Sequence, residues 1–195
     1  MIPRLRILSP AVVALAGVLA VPAAAGAQAL GIHGGVTVSK YHFETPAPAT
    51  SNLTGGSAGL FVLLGEGTFG GLIEANWIRR GSKLSGGTEV RVDYIEFPVA
   101  ARIEFGSGQD LSLHLLGGGT FAFKIRESQS GPPFFEIPED DIDGFEHGII
   151  AGGGLEYRQF IANARYTWGT RDISDRPIEA YNRGWSFMVG FKIID

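Results

Sequence analysis

The chain has 195 residues, enough for one substantial domain, and carries 16 Lys and Arg against 20 Asp and Glu for a formal net charge of -4. That mildly acidic balance gives no support to nucleic-acid binding, and the absence of cysteine excludes disulfides, Cys-ligated zinc, c-type haem and a lipidated N-terminal cysteine. With 29 glycines, 11% aromatic and only 18% charged residues, the composition departs from that of a helix-rich soluble enzyme and suits close-packed, twisted strands.

At the N-terminus, Arg4 and Arg6 precede an apolar run from Ile7 to Val21, broken at Pro10 and followed by Ala25-Gly26-Ala27 and Ala27-Gln28-Ala29. A positive region, an apolar region and a small-x-small site together make a secretory signal over residues 1–29, with cleavage after Ala29 and Ala27 as the alternative. The run is too short, and ends too plainly in a processing site, for a permanent membrane helix. Removing Arg4 and Arg6 leaves 14 basic residues against 20 acidic, a net charge of -6, on the domain spanning 30–195.

The domain reads as a series of strands. Leu30 to Tyr41 alternates, with Leu30, Ile32, Gly34, Val36 and Val38 on one face and His33, Thr37 and Ser39 on the other. His42 to Thr54, rich in Pro, Thr and Ser, reads as a long loop. The second strand, Gly56 to Leu64, is apolar on both faces, so its facing stays open. After a tight turn, Phe69 to Arg80 sets Phe69, Ile73, Ala75 and Trp77 against Glu74, Asn76 and Arg80, and a polar loop covers Gly81 to Thr88.

Strand four, Glu89 to Phe105, changes phase: Val90 and Val92 are apolar at even positions, whereas Ile95, Phe97, Val99, Ile103 and Phe105 are apolar at odd ones. One inserted residue reverses the faces of a strand, so the pattern predicts a bulge near Asp93 to Ile95.

The clearest strand is the fifth, Leu111 to Arg126. Leu111, Leu113, Leu115, Gly117, Gly119, Phe121, Phe123 and Ile125 share one face; Ser112, His114, Leu116, Thr120, Ala122, Lys124 and Arg126 share the other. A uniformly apolar face of this length exceeds the usual globular strand of about 5–6 residues and suits a tilted membrane crossing of about 9–11 residues with extensions. The longest loop, Glu127 to Asp143, follows; then come strand six from Phe145 to Arg158, strand seven from Phe160 to Gly169, a loop from Thr170 to Asn182 and strand eight from Gly184 to Ile193.

Connections alternate long and short through eight strands, as in barrels with short periplasmic turns and longer external loops. The expected fold is therefore all-β: an eight-stranded antiparallel transmembrane β-barrel, an up-and-down meander, in the outer membrane of a Gram-negative-type bacterium. Aromatic side chains fall into two bands under this topology: Phe69, Phe105, Tyr157, Phe160 and Phe191 at the periplasmic rim, and Trp77, Phe121, Phe123, Phe145, Trp168 and Trp185 toward the outer rim. Arg79, outward and just beyond Trp77, is placed to reach a headgroup phosphate or to stand as a solvated loop-edge cation.

The motifs Gly31-Ile32-His33-Gly34-Gly35-Val36, Tyr94-Ile95-Glu96-Phe97-Pro98, Gly152-Gly153-Gly154-Leu155-Glu156-Tyr157 and Arg165-Tyr166-Thr167-Trp168-Gly169 occur in this order. Together they resemble the outer-membrane β-barrel domain family that includes PorT-like proteins. The resemblance covers nearly all of the domain and implies the barrel fold without a common activity; some members are linked to protein secretion. The ending Phe191-Lys192-Ile193-Ile194-Asp195 departs from the terminal aromatic that such barrels typically present.

Eight strands leave an interior just wide enough for side chains to fill, so an open pore is not expected. The inward set comprises His33, Glu74, Asn76, Glu96, Arg102, Glu104, His114, Lys124, Glu146, Glu156, Arg158, Arg165 and Lys192. Buried charges are costly unless paired, so Glu74, Glu96, Arg102, Glu104, Lys124, Glu156, Arg165 and Lys192 are expected to form a polar network.

Signals for chemistry fail their tests. Gly65-Glu66-Gly67-Thr68-Phe69-Gly70 matches a dinucleotide-loop pattern but opens no helix, and the four histidines lack metal-ligand spacing. The acidic run Glu139, Asp140, Asp141 and Asp143 lacks the Gly and distal Glu of a calcium loop. The sequence therefore predicts no enzyme, no cofactor and no metal site. Expected partners are outer-membrane lipid and a protein at the Glu127–Asp143 loop, where Pro132-Pro133-Phe134-Phe135-Glu136-Ile137 is apolar; the barrel is expected to be a monomer. Two other readings compete with a structural or adhesive role: a narrow channel or secretion accessory, and a soluble periplasmic calycin-like barrel whose interior would be apolar.

Overall fold

The computed structural model describes residues 27–43, 49–65, 67–84, 86–106, 110–131, 144–170 and 180–194. The proposed signal segment lies outside them apart from its last three residues, as do Pro132–Ile137 and the acidic run 139–143. Eight strands are present: β1 (Ala27–Phe43), β2 (Thr50–Leu64), β3 (Phe69–Leu84), β4 (Glu89–Phe105), β5 (Leu111–Ser130), β6 (Phe145–Tyr157), β7 (Phe160–Gly169) and β8 (Ala180–Ile194). Each pairs antiparallel with its sequence neighbour, and β8 closes on β1 from Leu30↔Ile194 to Phe43↔Ala180.

Period-two patterning positions the side chains. On β5, Leu111, Leu113, Leu115, Phe121 and Phe123 stand exposed on the outer wall, while Ser112, His114, Leu116, Thr120 and Ala122 are buried in the lumen. The same parity exposes Val36, Val99, Ile149, Phe187 and Val189. An apolar wall of this extent is stable only against lipid. A soluble ligand-binding barrel requires the opposite arrangement, and here Glu74, Arg102, Arg165 and Lys192 point inward.

The strands run further than the alternation suggests. β1 continues to Phe43, β2 starts at Thr50, β3 reaches Leu84, β5 reaches Ser130 and β8 begins at Ala180. About half of the expected loops His42–Thr54 and Gly81–Thr88, and the last three residues of Thr170–Asn182, are therefore ladder. Beyond the lipid a hairpin keeps its backbone hydrogen bonds but has no apolar face to display, so hydropathy loses its period there. Leu53, inside the first of these expected loops, is buried within β2.

β4 holds one phase throughout: Val90, Val92, Tyr94, Glu96, Pro98, Ala100 and Arg102 all face the lumen. The phase change in the sequence reflects a change in what the lumen contains. Tyr41, Ile78, Val90, Val92, Tyr94 and Ala122 form an apolar cluster toward its outer end. A bulge does lie at this height, but the register steps from Asp93↔Arg126 to Tyr94↔Lys124, so the extra residue is Ile125 of β5. Beyond it β5 reverses its faces, turning Glu127 inward and Arg126 outward. A second cluster, Ala29, Phe61, Leu63, Leu72, Ala100, Leu116, Ile150 and Ile161, draws on every strand but β8 and crosses the lumen. It settles the facing of β2, with Ser57, Phe61 and Leu63 inside.

The polar interior and the outer wall as candidate sites

Alternate residues of neighbouring strands converge on the barrel axis, and there the charges pair. Arg165 of β7 reaches Glu74 of β3 through two hydrogen bonds of 2.7 Å. Asn76, two residues along β3 on the same face, donates to Glu74 Oε2 at 2.8 Å and meets His33 Nε2 through its own Oδ1 at 2.6 Å. Arg80 bonds Glu96. Toward the other end, Arg102 donates to Glu104 and to Glu156, each at 2.8 Å, and Lys192 also pairs with Glu156. Lys124 pairs with Glu127 at 3.2 Å.

Glu74, Glu96, Arg102, Glu104, Lys124, Glu156, Arg165 and Lys192 thus all lie in the lumen, as several connected clusters. Arg158 does not: the two-residue turn between β6 and β7 holds it at φ 54°, exposed over the Tyr157 ring. Arg80, Asn163 and Glu127 complete pairs that the sequence did not single out. In the sequence Glu127 reads as the first residue of the loop after strand five, whereas β5 runs on to Ser130 and the Ile125 bulge turns Glu127 inward. Asn163 stands on the inward string of β7 and meets His114 Nε2 at 2.5 Å.

This partnership gives His114 a structural place, and Ser112 two residues away takes no part in it. The void beside His33, Glu74, Arg102, His114 and Asn163 measures about 10 Å³, room for about one water molecule. The geometry can hold the barrel rigid, and among the described residues it brings no nucleophile, base and oxyanion donor together. The Gly65–Gly70 motif forms the β2–β3 hairpin, with Gly65 and Gly67 at φ 81° and 80°, and strand follows it.

On the outer wall the rings contact one another in series. Phe160 and Phe191 meet edge-on at 5.3 Å near the turn end of the barrel. Nearer the outer loops, Phe97, Phe123, Phe145 and Phe121 form one chain of ring contacts, and Trp168, Tyr166, Trp185 and Phe187 another. Phe69, Phe105 and Tyr157 are exposed at the turn end, and Trp77 lies at the loop end under the Arg79 guanidinium. That guanidinium is held by Asp93 at 2.6 and 2.9 Å. At the outer tip of the β3–β4 hairpin, hydrogen bonds from Lys83 and Arg91 keep the Glu89 carboxyl below the usual carboxylate range.

Residues 25–175 match the family described as outer membrane protein beta-barrel domain. No protein of curated function matches the sequence. Among solved structures, the chain is similar to Neisserial surface protein A, with a TM-score of 0.52 at 12% identity over 86% of this chain and 99% of that one. It is also similar to the attachment invasion locus protein Ail of Yersinia pestis, solved in complex with the heparin analogue sucrose octasulfate, with a TM-score of 0.46 at 14% identity over 84% of this chain and 97% of that one.

Proposed function

Because the chain belongs to the outer-membrane protein β-barrel domain family and is an eight-stranded barrel of the Gram-negative outer membrane, we propose that it is a sealed structural or adhesive protein acting through its external connections. The observation that carries this reading is the lumen's apolar cluster from seven strands, with ion pairs on either side of it and a void of about 10 Å³ beside His33, Glu74 and His114. A barrel with its lumen occupied in this way offers its outer loops as the surface for work. Of these, the segment Glu127–Asp143 carries the apolar stretch Pro132–Ile137, suited to a protein partner. The order of the four short motifs supports a finer place beside PorT-like members, without their link to secretion.

The test replaces residues 132–143 with a Gly/Ser linker of equal length in cells displaying the barrel. Loss of cell adherence, with the heat-dependent gel shift of the folded barrel retained, is the expected outcome. Stepwise conductance of the purified protein in planar bilayers would favour the channel reading and overturn this one.

A further inference from the structure

Lys40 of β1 and Arg183 of β8 are direct register partners on the outer wall, and Trp168 of β7 is the partner of Arg183 on its other side. Lys40 is exposed; Arg183 is half-buried, and its Nε is fully buried without a hydrogen-bond partner. Like charges directly opposite one another destabilise a strand pair, and the described residues of the wall around these two supply no compensation. Among the described residues, the outward faces of β6, β7, β8 and β1 carry no carboxylate.

The opposite wall shows the contrast. There Arg79 is neutralised by Asp93, and Lys83 and Arg91 by Glu89. The unneutralised pair sits one row beyond Trp185, which belongs to the aromatic chain nearer the outer loops, and one row short of His42 and Tyr181. An aromatic girdle marks the level of the lipid headgroups, so cations just beyond it stand at the height of phosphates.

We propose that Lys40 and Arg183 form a binding site for a phosphate of an outer-leaflet lipid, with Trp168 and Trp185 flanking the lipid at the base of its headgroup. A guanidinium fork matches phosphate oxygens, and lysine adds a point charge on a flexible stem. The anion removes the like-charge repulsion between Lys40 and Arg183. This site is on the membrane-facing wall and is independent of the loop function proposed above.

The experiment uses the mature barrel refolded in detergent, with native mass spectrometry of lipid adducts. The probes are lipid A carrying its phosphates, the same lipid dephosphorylated, and inorganic phosphate. Wild type and Arg91→Gln, whose partner Glu89 is on the opposite wall, should retain the phosphorylated lipid. Lys40→Gln/Arg183→Gln should lose about tenfold or more in occupancy, the size of one charge-assisted contact. Lys40→Gln alone, at an exposed side chain, gives a milder loss and serves if the double variant fails to fold. Retention of the dephosphorylated lipid equal to that of the phosphorylated one, or undiminished binding by the charge-removed variants, would overturn the proposal. Full displacement by inorganic phosphate would overturn the lipid as the source of the anion.

Discussion

Arg165 clamps Glu74 with two parallel hydrogen bonds, Nη1 to Oε2 and Nη2 to Oε1, each 2.7 Å, from a position 91 residues away in sequence. The side chains are 3% and 1% exposed, so neither charge has water to fall back on. This pair joins β3 to β7 across the lumen, where no backbone ladder connects them.

Breaking the pair should cost far more than deleting it. Glu74→Gln or Arg165→Met alone leaves a buried charge uncompensated and is expected to destabilise the barrel by about 3–5 kcal/mol. The double variant Glu74→Leu/Arg165→Met should recover most of that loss. Urea unfolding in lipid vesicles, followed by the heat-dependent gel shift, measures both.

Glu146 should respond in the opposite direction. It is buried, accepts from Asn182 Nδ2 at 3.5 Å, and has no ion pair among the described residues. Glu146→Gln removes an unpaired charge and is expected to stabilise by about 1–3 kcal/mol in the same unfolding measurement. A loss of stability comparable to that of Glu74→Gln would show that its carboxylate is needed.

The outer wall predicts a depth profile. Leu115→Arg, on an exposed leucine within the apolar span of β5, is expected to cost about 2–4 kcal/mol, whereas Phe69→Arg at the rim should cost about 0–1 kcal/mol. Equal costs at the two sites, read from unfolding in vesicles, would mean that the wall does not span a bilayer.

Adjacent glycines of β5 should differ. A Cβ on Gly118 would run into the Val99 carbonyl and the Ala100 backbone, whereas one on Gly117 meets only the Ile150 carbonyl at 3.9 Å. Gly118→Ala is therefore expected to reduce folding yield and lower the temperature of the gel shift. Gly117→Ala should be neutral or stabilise by about 0.4–1 kcal/mol through the unfolded chain.

The N-terminal processing point is also testable. Ala27 pairs with Leu64, and Ala29 pairs with Leu63 and is buried in the lumen cluster. Cleavage after Ala29 would discard the buried Ala29 and its pairing, which cleavage after Ala27 keeps, so with the proposed signal segment the mature chain is expected to begin at Gln28. Intact mass of the protein purified from outer membranes distinguishes Gln28 from Leu30 as the first residue.

The sequence by itself determined the eight strands, their antiparallel order and the parity of most faces. Each strand crosses one boundary, lipid on one side and lumen on the other, and alternation records that boundary locally. It was silent where the boundary changes character. Val90 and Val92 are as apolar as a lipid face, yet they line the lumen, because hydropathy cannot tell an apolar interior from a membrane. The extended hairpins beyond the girdle carry no apolar stripe, and so read as loops. Only the tertiary structure decided which charge meets which, because Glu74 with Arg165 and Arg102 with Glu156 depend on strand tilt and register summed around a closed barrel. It also placed the bulge on Ile125, and it set Lys40 opposite Arg183 by joining the last strand to the first, a neighbourhood that exists only once the barrel closes.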